Sequence, residues 1–158
     1  MTLFETTILK KSGLTPDSGL ASAASSRANI FNMSQAAEQA VLRPEDCGAF
    51  GHDLRAALAA RVARQAGEDA LADHYASAAG DKAGLADPGV SDADQGHILT
   101  FVDKVANQTR DVAAEDISGL QAAGVSDADV VRLCELVAFL AYQTRVIAGL
   151  RLMQGTAG

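Results

Sequence analysis

The chain has no tryptophan, two tyrosines, five phenylalanines and only three prolines in 158 residues. Aromatic and β-branched residues do not alternate with polar ones, so strands and sheets are not expected. Only two cysteines are present, Cys47 and Cys134. They form neither a CxxC pair nor a Cys/His cluster, which excludes a zinc finger and a CxxC redox site. Cations are also scarce: 13 Lys and Arg against 20 Asp and Glu give a net charge of −7. That balance argues against nucleic acid and against anionic membranes as partners. No unbroken run of eighteen apolar residues occurs, so no membrane span is expected. The start, MTLFETTILKK, has no basic segment followed by an apolar core and does not read as a signal peptide. Two unpaired thiols and no leader suggest the cytoplasm. Glycine-rich phosphate loops, HExxH and GxSxG are missing too, and neither a metal nor a cofactor is expected.

What is present is helix-forming sequence. Hydrophobic residues make up 48% of the chain, many of them alanine. Alanine, leucine, glutamate, glutamine and arginine all favour helix. The expected fold is all-α, with six or seven helices packed closely through small side chains. The length suits one compact unit. Within it, residues 1–45 read as an N-terminal arm and helices, and 46–158 as the main helical domain. Leu3, Phe4, Ile8 and Leu9 give the arm an apolar patch, suited to a partner chain or to its own domain. A helix over about 26–42 places Ile30, Met33, Ala37, Ala40 and Val41 on one face. The next, from His52 or Asp53, ends at Gly67 and puts Arg61 on a mainly apolar side. The following segment, 68–79, brings Leu71, His74, Tyr75 and Ala78 together.

The last stretch, Ser126 to Met153, carries the longest apolar run outside the alanine-rich parts, Leu136–Tyr142. A helix of that length extends about 42 Å, more than a monomer of this size covers, so a dimer partner is expected. Its opening has a copy upstream. Segments 89–112 and 124–147 both begin GVSDAD and both carry QTR nineteen residues after the glycine; 11 of 24 aligned positions are identical. In the first copy Ser91 and Asp94 read as a capping box. The period of 35 approaches that of helical-hairpin repeats, but two copies make no solenoid.

Several side chains are candidates for chemistry. Arg145 follows the apolar run, flanked by Gln143 and Thr144. A buried guanidinium there needs a carboxylate such as Glu68, Asp73 or Glu115. It is either an anion clamp, with Gln143 beside it in the substrate site, or a helix-crossing or subunit-interface residue. An inward His74 is either a general base or a hydrogen-bonded core histidine, and Tyr75 either lends its phenol to the same pocket or fills it. The acidic neighbours Glu45 and Asp46 disfavour nucleophilic catalysis by Cys47.

Taken together, DLRAALAARVARQAGEDALADHYASA and AAEDISGLQAAGVSDADVVRLCELVAFLAYQTRVIAGLRLM resemble the carboxymuconolactone decarboxylase / alkylhydroperoxidase AhpD-like superfamily, nearest its peroxidase-related CMD-domain branch. The resemblance covers about residues 50–153. It implies a helical fold and assembly as a homodimer or larger homo-oligomer. In redox-active members a CxxC pair follows the glycine that matches Gly67. Here those positions are Glu68 and Leu71, while the family histidine falls on His74. The resemblance therefore implies loss of disulfide-based peroxide reduction. It leaves a Glu68/His74 acid–base pair, with Tyr75, Gln143 and Arg145 around a small-molecule ligand. The alternative is a non-catalytic structural subunit.

Overall fold

The computed structural model describes residues 1–155, and among these all regular structure is helical. Eight α-helices follow in order: α1 (Thr7–Ser12), α2 (Ala21–Ser26), α3 (Ala28–Leu42), α4 (His52–Gln65), α5 (Asp69–Ala76), α6 (Gly96–Asn107), α7 (Ala114–Ala122) and α8 (Asp127–Met153). Short 3-10 segments lie at Leu3–Glu5, Gly80–Ala86 and Thr109–Asp111. The helix beyond the expected seven is α1, which the sequence suggests is an arm. Its apolar residues turn onto their own domain: Ile8 and Leu9 are buried in the same core cluster as α4 and α8.

The centre of that cluster is α4 rather than α8. Every residue from Leu54 to Ala63 is buried. Five of those ten are alanine, so neighbouring helices approach closely on all sides. Helix α5 and the 80–86 segment lie against it, and α3, α6 and α8 complete its surroundings. Gly67 ends the run at φ 76°, and the Glu68 amide reaches back to the Ala63 carbonyl at 2.9 Å. A left-handed glycine closing a helix in this way satisfies carbonyls that would otherwise be orphaned.

Two guanidiniums are buried in this alanine helix. Arg55 donates to three carbonyls, Phe50 O at 2.9 Å, Val41 O at 2.8 Å and Cys47 O at 3.0 Å. It thereby fixes the α3–α4 loop. Burial lowers the Arg55 pKa. Arg61 makes a two-pronged pair with Asp103 of α6, both contacts at 2.7 Å. Its remaining N–H groups reach the carbonyls of Leu85, Asp87, Pro88 and Val90. One side chain thus holds both α6 and the glycine- and proline-containing loop that precedes it.

Helix α8 opens as expected. Ser126 Oγ accepts from the Asp129 amide at 3.2 Å and donates to the Asp129 carboxylate at 2.7 Å. Asp129 also accepts from the Ala49 amide and from Arg132, which ties the α3–α4 loop to this cap. Gly48, at φ 56°, lies against Asp129 and Arg132 with no room for a β-carbon. By length and composition α8 is the one described helix long and apolar enough to cross a bilayer. Here one side of it packs on α1, α3, α4 and α6, as the core helix of a bundle does.

The upstream GVSDAD behaves differently. Ser91 is not a helix cap. Instead Asp92 Oδ1 accepts from the amides of Asp94 and Gln95, forming an Asx-type turn, and α6 begins only at Gly96. The first QTR, at 108–110, lies beyond the end of α6, whereas the second lies inside α8. Tertiary surroundings have given one local sequence two structures.

Replacing Arg61 by methionine keeps most of the volume but removes the guanidinium from the carbonyls of Leu85, Asp87, Pro88 and Val90 and leaves Asp103 with Gln65 as its remaining side-chain donor. The expected loss is about 3 kcal/mol of unfolding free energy, read from urea denaturation followed by circular dichroism. A change below about 0.5 kcal/mol would show that Arg61 does not hold the loop.

Candidate functional site

The side chains singled out in the sequence do not converge. Apart from Gln143, which lines neither, they divide between two separate clefts. Glu68 and Arg145 line a cleft of about 220 Å³ with Val62, Ala106, Asn107 and Thr144. His74 and Tyr75 line another of about 240 Å³ with Glu38, Arg43, His52 and Ser77. The expected Glu68/His74 acid–base pair is therefore not assembled. Glu68 is buried at the start of α5 and pairs with Arg151 near the end of α8, 2.8 Å between Nη1 and Oε2. Arg151 also donates to the Lys11 carbonyl at 2.9 Å. Glu68 thus joins α5 to α8 and, through Arg151, to α1.

Arg145 is not buried. It lies on the exposed side of α8, and among the described residues it makes no ion pair. Of the expected carboxylate partners, Glu68 pairs with Arg151, Asp73 pairs with Arg64 at 3.1 Å, and Glu115 lines a separate hollow beside α6. His74 also departs from its expected inward position. Leu71 and Tyr75 are buried, whereas His74 and Ala78 are exposed. Helix α5 is short and presses only its Leu71/Ala72/Tyr75 edge against α4, which leaves the His74 ring at the mouth of the second cleft.

Beneath that mouth lies a polar group that helical periodicity concealed. Glu38 of α3 is 4% exposed, and among the described residues no cation contacts its carboxylate. Three neutral donors hold it. Thr7 Oγ1 and Gln35 Nε2 donate to Oε1 at 2.8 and 3.2 Å, and Gln143 Nε2 donates to Oε2 at 2.6 Å. The Tyr75 hydroxyl donates to Gln143 Oε1 at 2.6 Å. The chain Tyr75–Gln143–Glu38–Thr7 thus joins α5, α8, α3 and α1. Gln143 is fully buried, so its role is to bridge Tyr75 and Glu38 rather than to meet a ligand.

Charge follows from this arrangement. Burial, with the Glu38 carboxylate next, pushes the Tyr75 phenol well above its ordinary range. Burial is also the main cause that lowers the His74 pKa below 6.5; Lys11 and Lys10 add to it, while Glu38 opposes. The ring sits 5.2 Å from that of Tyr75, centroid to centroid. The opposite wall carries His52, whose Nε2 is 3.0 Å from the Pro44 carbonyl. The cleft therefore combines a buried carboxylate, a protonated phenol and a histidine biased toward its neutral form.

Glu38 and His52 are the site residues that the sequence reading missed. The apolar positions Ile30, Met33, Ala37 and Ala40 define the more obvious face of α3, yet all four are exposed. The buried face is Phe31, Ser34, Glu38 and Leu42. Its two largest apolar residues, Phe31 and Leu42, were the available signal.

Cys47 and Cys134 are both half-buried free thiols. Burial raises the Cys134 pKa. The chain matches no protein-family model, no curated protein and no solved structure.

Gln143→Leu would leave the Glu38 carboxylate and the Tyr75 hydroxyl each short of a buried partner. The expected destabilisation is about 2–4 kcal/mol in denaturant unfolding, and a neutral result would contradict the bridging role. His74 gives a second expectation. Its native pKa is depressed, so between that value and 6.5 the unfolded chain binds more protons. Stability contributed by neutral His74 is complete above pH 6.5 and falls as pH drops through its native midpoint. NMR titration should place that midpoint below 6.5, and His74→Gln should flatten this part of the stability–pH curve.

Proposed function

We propose that this chain is a small-molecule-binding protein of AhpD-like, CMD-domain type that has no disulfide-based peroxidase cycle. Its ligand site is the cleft between α3, α4 and α5. The observation that carries the reading is the buried Glu38 carboxylate at that cleft, held by neutral donors and, among the described residues, unpaired with any cation. A carboxylate kept in a buried site without a counter-ion favours a ligand that brings a hydrogen-bond donor. His74, at the mouth, can accept a hydrogen bond from such a ligand, and His52 and Arg43 border its path. The cleft volume suits a ligand smaller than a typical drug molecule. Small alcohols, phenols and amides are the classes that fit.

Peroxide reduction through a dithiol needs two sulfurs that form and break a disulfide. Glu68 and Leu71 occupy the positions where the resemblance puts them, and neither has one. The two free thiols agree with a reducing compartment, and we place the protein in the cytoplasm on that ground.

A second reading, a non-catalytic subunit of a homo-oligomer, is favoured by a different observation: Glu68 and Arg145 are separated from His74, and Arg145 faces outward.

NMR shift mapping with a panel of small alcohols, phenols and amides tests the ligand site. Shifts should concentrate at Glu38, His74 and Ser77, and Glu38→Gln should weaken the best binder about tenfold. Shifts scattered over other surfaces, or unchanged affinity in Glu38→Gln, would refute the site. Peroxide turnover with a dithiol reductant should remain at background. Robust turnover that survives Cys47→Ser together with Cys134→Ser would overturn the redox reasoning.

A further inference from the structure

Helix α8 carries a second seam, on the side away from the core. Its outward positions recur at alternating steps of three and four residues, the spacing of a coiled-coil contact line. The seam begins at Ala128 and Val131, continues through Glu135, Ala138, Tyr142 and Arg145, and ends at Gly149 and Leu152. Gly149 is half-buried and the other seven are exposed. Glu135 and Arg145 are its only charged members, and among the described residues neither has an ion-pair partner.

The order of these residues is self-complementary. A line of this kind reads the same in reverse when the helix is laid antiparallel on itself about Leu140. Ala138 then meets Tyr142 and Glu135 meets Arg145. Further out, Val131 meets Gly149 and Ala128 meets Leu152. Three of the four layers oppose a small residue to a larger one, and the fourth opposes opposite charges. Within one chain Glu135 and Arg145 lie about 15 Å apart along the axis, too far to pair with each other. In a two-fold pair the Glu135–Arg145 contact forms twice, once in each direction, so each of the four side chains gains one partner. The seam has no net charge, although the whole chain carries −7.

The flank of the seam is apolar as well. Tyr142 is held in place by Ser34 of α3, 2.8 Å between hydroxyls. On α3, Ile30 and Met33 are 44% and 67% exposed. They widen the α8 line toward the area that a stable association requires.

We infer that α8 pairs antiparallel with α8 of a second copy of this chain, with reciprocal Glu135–Arg145 ion pairs about a two-fold axis at Leu140. Because Arg145 also lines the Glu68 cleft, Glu135 of the second copy closes the mouth of that cleft. The inference stands apart from the ligand-site reading, which concerns the cleft between α3, α4 and α5, and it deepens the homo-oligomer reading.

The test is sedimentation of the full chain over a concentration series, with two charge reversals and their combination. Wild type should approach twice the 16.3 kDa chain mass. Glu135→Arg alone and Arg145→Glu alone each place like charges together twice in the interface, and each should weaken association at least about tenfold. The double variant should recover wild-type association to within about threefold. Both positions are exposed, so far-ultraviolet circular dichroism should show unchanged helix content in all variants. The pairing is refuted by a wild type that stays monomeric, by single reversals that associate as tightly as wild type, or by a double reversal that recovers nothing.

Discussion

The fold depends on placing two guanidiniums inside a helix built from alanine. Alanine gives α4 no bulk, so its neighbours approach its backbone closely on every side. That proximity alone would leave the connecting loops without anchors. Arg55 and Arg61 extend from the same helix and end among carbonyls of the 41–50 and 85–90 segments. A guanidinium has five donors and no acceptor, which matches loops whose carbonyls turn inward. Asp103 completes the Arg61 set and brings α6 to the same point. The long α8 lies against this centre and is not itself enclosed.

The buried polar chain from Tyr75 to Thr7 serves a related purpose on the other side of the domain. Its members come from α5, α8, α3 and α1, so it fixes four elements relative to one another. A buried carboxylate without a cation is costly unless its oxygens are hydrogen-bonded. Three neutral donors meet that need for Glu38. The same arrangement places the carboxylate in the lining of the cleft between α3, α4 and α5. Glu68 shows the contrasting case: it meets Arg151 and is committed to holding α5 on α8.

The repeated GVSDAD…QTR segments show how far local sequence reaches. At 124–147 the serine caps a helix that continues through the QTR triplet. At 89–112 the same residues form an Asx-type turn, and the helix stops before the triplet. Gln143 is buried against Glu38, whereas Gln108 follows the last turn of α6. The loop around the first copy is held by Arg61, and its carbonyls are drawn away from helical pairing. An identical hexapeptide therefore carries no fixed structure without its surroundings.

Helix content, the Ser126 cap, the Gly67 stop and the great length of α8 were determined by the sequence itself, because each follows from contacts within a few residues. The all-α class was legible for the same reason. Which face of α3 is buried was not, since Ile30, Met33, Ala37 and Ala40 make the better local stripe and only the positions of Thr7 and Gln143 explain an inward Glu38. The outward His74, the engagement of Glu68 by Arg151 and the split between two clefts likewise depend on residues distant in the chain. Periodicity records how apolar a face is, while burial is decided by what stands opposite it, and only the tertiary structure supplies that.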